Sequence, residues 1–332
     1  MIGSSNFKKI SAVKAVNYAI DNGYSGDKFA YRDDKGDLVY GKTKSAIAEA
    51  PIDTEDAPLF EGKRYYLGDM ALMADTTDIK NVIDYKEHEY YLPLSIYNSF
   101  ETNNIDTDSI EKLIIGISLS QKNYVKDFMK RISKFQVNDK KFSFQDKVVI
   151  LAQGAAAKYA IDHFHYPDNS ESADYAICDI GMLSIDNATV IKGKIRYENA
   201  SGTTHDGIIR IITELQGYIA QHHDDMLSSK EVQEFLLKGE YESFGEKHDL
   251  REIIDGFKRD YTIFIAQKLL QTQKNILKKF PKIYFIGGGS YYLDKDLLVK
   301  ELKVNADKIV IPKDAEYYNV LGYLFFNELP KN

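Results

Sequence analysis

The chain has 332 residues, with 43 Lys+Arg against 50 Asp+Glu and a formal net charge of −7. That length suits about two domains with real cores, and 44% hydrophobic with 28% charged residues is globular composition that excludes global disorder. The acidic balance argues against direct nucleic-acid binding through phosphates, no window approaches the ~18 apolar residues of a membrane span, and a single Cys178 excludes a disulfide framework.

The opening MIGSSNFKKISAVKAV lacks the apolar core of a secretory signal. With the lone cysteine it leads to the expectation of a cytoplasmic protein without membrane contact. Phe7, Ile10 and Val13 among Lys8, Lys9 and Lys14 hint at an amphipathic anchor, but the stretch is short and an extension is the favoured reading.

The first predicted strand is Ala15–Asp21, followed by the turn Asn22-Gly23-Tyr24-Ser25-Gly26 and a returning strand at Lys28–Tyr31, a hairpin pattern. Phe60–Leu67 reads as a strand, and Gly68-Asp69 introduces an apolar MALMA. Tyr85–Phe100 is helical by spacing, with Pro93 as an interruption or kink. Leu113–Leu119 is a strand buried on both faces, and Gln121–Phe135 an amphipathic helix. Strand Lys147–Leu151 and helix Gly154–Phe164 complete the first half.

The second half opens with strand Tyr175–Ile180 and its hairpin partner Ala188–Ile195. Gly207–Leu227 is a long helix, and Ser228 with Glu231 forms a capping box for a helix reaching Leu237. Asp249–Phe280 is long enough for two helices or one kinked one. Strand Ile283–Ile286 runs into Gly287-Gly288-Gly289, and a helix from about Asn319 closes the chain. Both halves follow one plan: strand, Asp-x-Gly turn, hairpin strand, then helices.

Asp21-x-Gly23 and Asp179-x-Gly181 each follow an apolar strand. A carboxylate there can hold magnesium through water, and the turn's N–H groups can cradle phosphate oxygens. Lys28 and Ser184 sit where each hairpin returns, available to a β- or γ-phosphate. One such motif is an ordinary turn, whereas two, one per half, carry weight. Gly287-Gly288-Gly289-Ser290 is either a strand-to-helix turn or, taken with the hairpins, a backbone surface for adenine and ribose. His222-His223-Asp224-Asp225 and His163 with His165 read as solvated surface, and Cys178 as a small core residue.

These motifs resemble those of the actin-like ATPases. Asp21-Asn-Gly-Tyr-Ser-Gly-Asp-Lys28 looks like their first phosphate loop, Asp179-Ile-Gly-Met-Leu-Ser184 like the second, and Phe285-Ile-Gly-Gly-Gly-Ser290 like the adenosine motif. Weaker matches are Tyr66-Leu-Gly-Asp-Met-Ala71, the connecting-helix segment Ala152-Gln-Gly-Ala-Ala-Ala157, and Tyr318-Asn-Val-Leu-Gly-Tyr323 as the second connector. In the last, Tyr318 stands where the family has a small residue. By length and connectors the plasmid-partition ParM/StbA-like group is most similar.

The resemblance implies an α/β actin-like fold, two related ribonuclease H-like domains flanking a nucleotide cleft. The domains would be residues 1–167 plus 312–332, and 168–311. It implies an ATPase using ATP/ADP, with GTP possible, and Mg2+. Asp21 and Asp179 would serve the magnesium–water shell, and Gln153 would orient the attacking water, unless it is simply a polar helix start. Asn22, Gly23, Tyr24, Lys28, Gly181, Met182 and Ser184 would contact phosphates, and Gly287, Gly288, Gly289 and Ser290 the adenosine. Gly202 and Gly207 fall where the family brings glycine to the nucleotide, or are turn glycines. The implied function is ATP-dependent polymerisation into filaments, with plasmid DNA reached through a DNA-binding adaptor protein rather than directly. The alternatives are a small-molecule kinase of the same superfamily, for which no base or substrate pocket is evident, and a cell-shape or organelle-positioning filament. A chaperone ATPase would need a peptide-binding domain for which the chain has no room.

Overall fold

The computed structural model describes residues 12–23, 26–73, 85–243 and 245–329. The chain forms two compact units, residues 1–115 with 124–150, and residues 116–123 with 151–332.

Unit 1 is built on β1 (Asn17–Gly23), β2 (Gly26–Arg32), β3 (Leu38–Thr43), β4 (Ile47–Ala50), β5 (Leu59–Phe60) and β6 (Lys63–Leu67). Helices α1 (Asp69–Met73) and α2 (Tyr85–Thr102) follow, then β7 (Lys112–Ile117), α3 (Val125–Ser133), β8 (Lys134–Val137), β9 (Lys140–Ser143) and β10 (Val148–Ala152). The main sheet has the order β10-β7-β1-β2-β3, with β1 antiparallel to β2 and parallel to β7. A smaller sheet has the order β4-β6-β5, and β8 pairs with β9. The β1 run is buried because its aromatic side chain has partners. Tyr18 stacks on Tyr31 with centroids 5.5 Å apart, meets Phe100 edge-on at 5.0 Å, and bonds Ser99 Oγ at 2.7 Å. Aromatic pairs of this kind add about 0.5–1.5 kcal/mol beyond area burial.

Unit 2 carries α4 (Ala157–His165), β11 (Tyr175–Ile180), β12 (Ser184–Ile191), β13 (Lys194–Ile195) and β14 (Ser201–Thr204). Next come α5 (Ile209–His223), α6 (Ser229–Lys238), β15 (Glu240–Ser243), β16 (Glu246–Asp249) and α7 (Arg251–Lys279). The unit ends with β17 (Lys282–Ile286), α8 (Lys295–Leu302), β18 (Ile309–Val310) and α9 (Tyr318–Glu328). Its sheet runs β13-β12-β11-β17-β18, with β14 on the side of β12. β11 is antiparallel to β12 and parallel to β17, the arrangement of β1 with β2 and β7. The internal duplication read in the sequence is therefore present in strand pairing. One hydrophobic core joins Ile180, Ile208, Leu215, Ile265, Phe285 and Leu298. Helices α4 and α9 are grouped with unit 2, whereas the division implied by the resemblance assigns them to the first domain.

Several elements differ from the sequence reading for physical reasons. Asp21 lies inside β1 rather than at its end, because Asn22 pairs with Asp27 and Gly23 with Gly26. The connection is thus the two-residue Tyr24-Ser25, which lies outside the described residues, as do Phe7 and Ile10. The expected strand over Phe60–Leu67 is broken at Glu61 (φ 50°) and Gly62 (φ 83°), the two positive-φ positions of a tight hairpin. Helix α4 begins at Ala157 instead of Gly154, whose φ of 70° is left-handed. The partner of β11 begins at Ser184, four residues earlier than expected. Asp249–Phe280 resolves into the single helix α7, and the capping box at Ser228 and Glu231 is formed. Among the described residues no helix is long and apolar enough to cross a membrane.

The α4–α9 contact is made at Gly322, where an added Cβ would lie 2.2 Å from Ala156 O. Gly322→Val should therefore destabilise by at least about 1–3 kcal/mol. Gly217 is the opposite case, exposed on α5 with nothing within 4 Å of such a Cβ. Gly217→Ala should stabilise by about 0.5–1 kcal/mol. Urea unfolding of both variants measures the contrast.

Candidate functional site

The two Asp-x-Gly hairpins share a register. Asp21 of β1 pairs with Lys28 of β2, and Asp179 of β11 pairs with Asp186 of β12. Cross-strand partners present their side chains on one face of a sheet, so each hairpin sets a buried carboxylate beside a second charged group. Asp21 is 4% exposed and Asp179 5% exposed.

In unit 1 the second group is a cation. Lys28 Nζ lies 3.8 Å from Asp21 Oδ2, with both side chains largely buried. The ammonium rests over Gly23, where a Cβ would come within 2.6 Å of Nζ. Asn22 points to the other face with Asp27. Tyr24 falls outside the described residues.

In unit 2 the second group is another carboxylate. Asp186, 1% exposed, accepts from Ser118 Oγ at 3.0 and 3.1 Å, from Leu119 N at 3.1 Å, and from Ser184 Oγ at 3.0 Å. Asp179 Oδ2 accepts from Asn319 Nδ2 at 2.6 Å, while Asn319 Oδ1 accepts from Gly154 N at 2.9 Å. Two buried carboxyl groups side by side are tolerable only with such donors around them. The sequence reading named neither Asp186 nor Asn319 as a site residue. Asp186 was legible, since the offset of seven from Asp21 to Lys28, applied to Asp179, lands on it. Asn319 lay in a recognised connector motif, but its partner was invisible because 140 residues separate it from Asp179.

The glycine-rich segment is crowded in a particular way. Gly287, at φ 79°, would carry a Cβ 2.4 Å from both Asp179 Oδ1 and Ile180 O, so only glycine fits against β11. Gly289 is similarly blocked by Ile180. Gly288 is not: its Cβ would meet only Glu316 Cβ, at 3.9 Å. Ser290 is fully buried, with Oγ bonded to Gly287 O at 2.7 Å, so it closes the turn. Gly207 packs on the carbonyls of Gly181 and Met182, and Gly202 on Asp186 Oδ1. Ile208 N donates to Gly181 O at 3.2 Å and Ile209 N to Met182 O at 2.9 Å, which docks the start of α5 on the second loop. Gln153 lies in the turn ahead of α4, its N–H bonded to Ile117 O at 2.9 Å. Unit 2 thus gathers Gln153, Asp179, Gly181, Met182, Ser184, Gly202, Gly207 and the Gly287–Ser290 segment around the paired carboxylates.

The histidine cluster has a packing role. His223 ends α5 and packs at a tilt against His248 with centroids 4.3 Å apart, while Asp225 accepts from Tyr241 Oη. Burial and the neighbouring His248 and His222 lower the His223 pKa. Among the described residues no group of three or more His, Cys, Asp or Glu is placed to hold a metal ion. Cys178 is a buried thiol whose pKa burial pushes up, with Asp179 and Asp186 adding to the rise, consistent with a core role.

Solved structures match this fold over nearly the whole chain. A non-polymerisable quadruple mutant of pCBH ParM aligns at TM-score 0.73 and 16% identity, covering 94% of this chain and 98% of that one. A 15-stranded ParM filament from Clostridium botulinum aligns at 0.70 and 17% identity, covering 96% and 99%. The archaeal actin homolog Ta0583 in complex with ADP aligns at 0.71 and 17% identity, covering 94% and 99%. The chain therefore has the actin-like α/β fold. Within it, residues 177–299 match the family model described as archaeal actin homologue MreB-like, C-terminal. No match emerges among curated protein sequences. The resemblance read from the motifs is borne out at the level of the fold.

Asn319 is the testable centre of the unit 2 site. Asn319→Ala removes a donor from a buried carboxylate and an acceptor from a buried N–H, which should cost about 2–3 kcal/mol. Chemical denaturation against wild type measures it, and an unchanged midpoint would show that water replaces both bonds.

Proposed function

We propose that this protein binds ATP with Mg2+, hydrolyses it, and polymerises head to tail into filaments. The observation that carries the reading is the shared hairpin register on an actin-like fold, Asp21 with Lys28 and Asp179 with Asp186. Gly288 supports it. Its neighbours are glycine because the protein itself crowds them, but among the described residues a Cβ at 288 would meet only Glu316 Cβ at 3.9 Å, and bare backbone suits a flat ligand. Nucleotide appears with two structural neighbours, ADP with Ta0583 and ATP with ParM of Bacillus thuringiensis, and a filament with ParM of Clostridium botulinum.

In this reading Lys28 and the backbone at Gly23 and Gly181 hold phosphate oxygens, while Gly287–Ser290 receives the adenosine. Mg2+ suits hard carboxylate oxygens and retains water, so Asp21 and Asp179 fit its outer shell. When bound, the ion would neutralise charge on the phosphates. Gln153 orients water for attack on the γ-phosphorus. The bond to the β–γ bridging oxygen breaks, ADP leaves with that oxygen, and the water's proton passes to the phosphates. Glutamine is a poor proton acceptor, but alignment is most of what phosphoryl transfer requires. The same reading keeps the domain division at 167 and 312 and a cytoplasmic location. It extends to plasmid segregation through an adaptor protein, because a chain of net charge −7 is a poor direct ligand for DNA.

Pelleting and electron microscopy at micromolar concentration, with and without ATP and magnesium, test the whole reading. Filaments appearing only with nucleotide are expected, and their absence together with absent ATP binding would overturn it. Lys28→Ala should weaken ATP binding by about 10–100-fold, the value of one charge-assisted bond. Gln153→Ala should leave binding intact and slow turnover by about 10²-fold or more. A wild-type rate in that variant would remove Gln153 from the mechanism.

A further inference from the structure

On the face of the β1–β2 hairpin opposite to Asp21 and Lys28, the next cross-strand pair is Asn22 with Asp27. Both side chains are buried, Asn22 at 7% and Asp27 at 2% exposure. Asn22 Nδ2 donates to Asp27 Oδ1 at 3.1 Å. The remaining oxygen on each, Asn22 Oδ1 and Asp27 Oδ2, is buried without a hydrogen-bond partner. Each orphaned acceptor in such a place costs about 1–3 kcal/mol. One proton resolves both, because a protonated Oδ2 becomes a donor and the only unmatched acceptor on its partner is Asn22 Oδ1.

We propose that Asp27 is held as the neutral acid and closes a two-point acid–amide ring with Asn22, which makes it a positioning residue for the hairpin. Asn22 Nδ2–H bonds Asp27 Oδ1, and Asp27 Oδ2–H bonds Asn22 Oδ1. The ring pins Asn22 to the returning strand and thereby fixes Gly23 and Lys28, the groups read above as phosphate ligands. That functional consequence rests on the proposed nucleotide site, whereas the ring itself does not.

The surroundings favour the neutral form. Burial pushes the Asp27 carboxyl up to about 7, with the Asp21 charge adding to the rise. The Asn22 bond, the Lys28 charge and the nearby Ser95 hydroxyl of α2, which leaves Oδ2 unpartnered, pull the other way without overcoming burial. Tyr18, on β1, feels the Asp27 charge while its hydroxyl bonds Ser99, and from β3 Thr43 Oγ1 meets only the Asp27 backbone oxygen, at 3.4 Å. A folded-state value above the unfolded one gives stability that is fully present below the unfolded value and lost as pH rises through about 7. Ionisation would face Oδ2 with the Asn22 oxygen and open the ring.

The test is infrared spectroscopy of protein carrying 13C-labelled aspartate, between about pH 6 and pH 9. The expected result is a protonated-carboxyl C=O band at the acid end that disappears through neutral pH and is absent in Asp27→Asn. Absence of that band in the wild type overturns the ring, and this arm needs no variant to fold and no nucleotide to bind. The second arm compares ATP-analogue affinity over the same range. Asp27→Asn restores both bonds with a permanent amide donor, so the wild type should lose several-fold more affinity with rising pH than this variant. Equal pH slopes would overturn the positioning role. If neither protein binds nucleotide at any pH, the proposed function fails while the infrared result still decides the ring.

Discussion

The unit 2 site depends on one side chain with two bonds. Asn319 donates to Asp179 Oδ2 at 2.6 Å and accepts from Gly154 N at 2.9 Å. A primary amide carries its donor and its acceptor on separate atoms, so it can give to a carboxylate and receive from a backbone N–H at once. It therefore joins three separate stretches of chain: β11, the turn ahead of α4, and the first turn of α9. The bond from Gly154 is possible because that residue adopts φ 70°, which also stops α4 from starting there. Gln153 is thus held in a turn between strand and helix, its N–H fixed by Ile117. The close approach of α9 to Ala156 at Gly322 and the Asn319 bonds reinforce one another, since they lie one helical turn apart.

Much of this was legible in residue order, and the reason is local. The two Asp-x-Gly motifs, the apolar strands before them and the Gly287–Gly289 run are short-range patterns, and strand pairing reproduces the duplication they suggested. The capping box at Ser228 is equally local and was read correctly. What escaped the sequence is what the chain brings together from afar or decides by backbone angle. Glu61 and Gly62 interrupt a run that looks like one strand because both take positive φ. Ser290 is buried with its hydroxyl bonded to Gly287 O, a turn-closing bond that residue order does not show. The hairpin loop of β1 and β2 is shorter than its Asn, Gly and Ser content suggested, because Asn22 pairs through its side chain as well as its backbone.

The two hairpins answer the same electrostatic problem differently. A carboxylate taken out of water needs an opposite charge, donors, or a proton. Asp21 has a cation in Lys28. Asp179 has the Asn319 amide, and Asp186 has the hydroxyls of Ser118 and Ser184 with the N–H of Leu119. These solutions have different reach. The cation facing Asp21 comes from the adjacent strand of the same hairpin, whereas the carboxylate pair recruits donors from elsewhere in the chain.

That requirement accounts for an otherwise odd feature of the packing. Residues 116–123 belong to unit 2 although the chain on either side of them belongs to unit 1. Contacts with Asp186, Gln153 and Gly202 hold them there. Asp186 takes Ser118 Oγ and Leu119 N, Ile117 O takes Gln153 N, and Ser120 N lies where a Cβ on Gly202 would come within 3.0 Å. The Asp186 carboxyl therefore holds the segment through Ser118 and Leu119, beside the apolar burial of Ile117, which is 3% exposed. A side chain placed opposite Asp179 by strand register thus anchors a loop that is distant in sequence. Gly202 must remain glycine for the same reason, because its missing side chain is the space in which Asp186 and the loop meet.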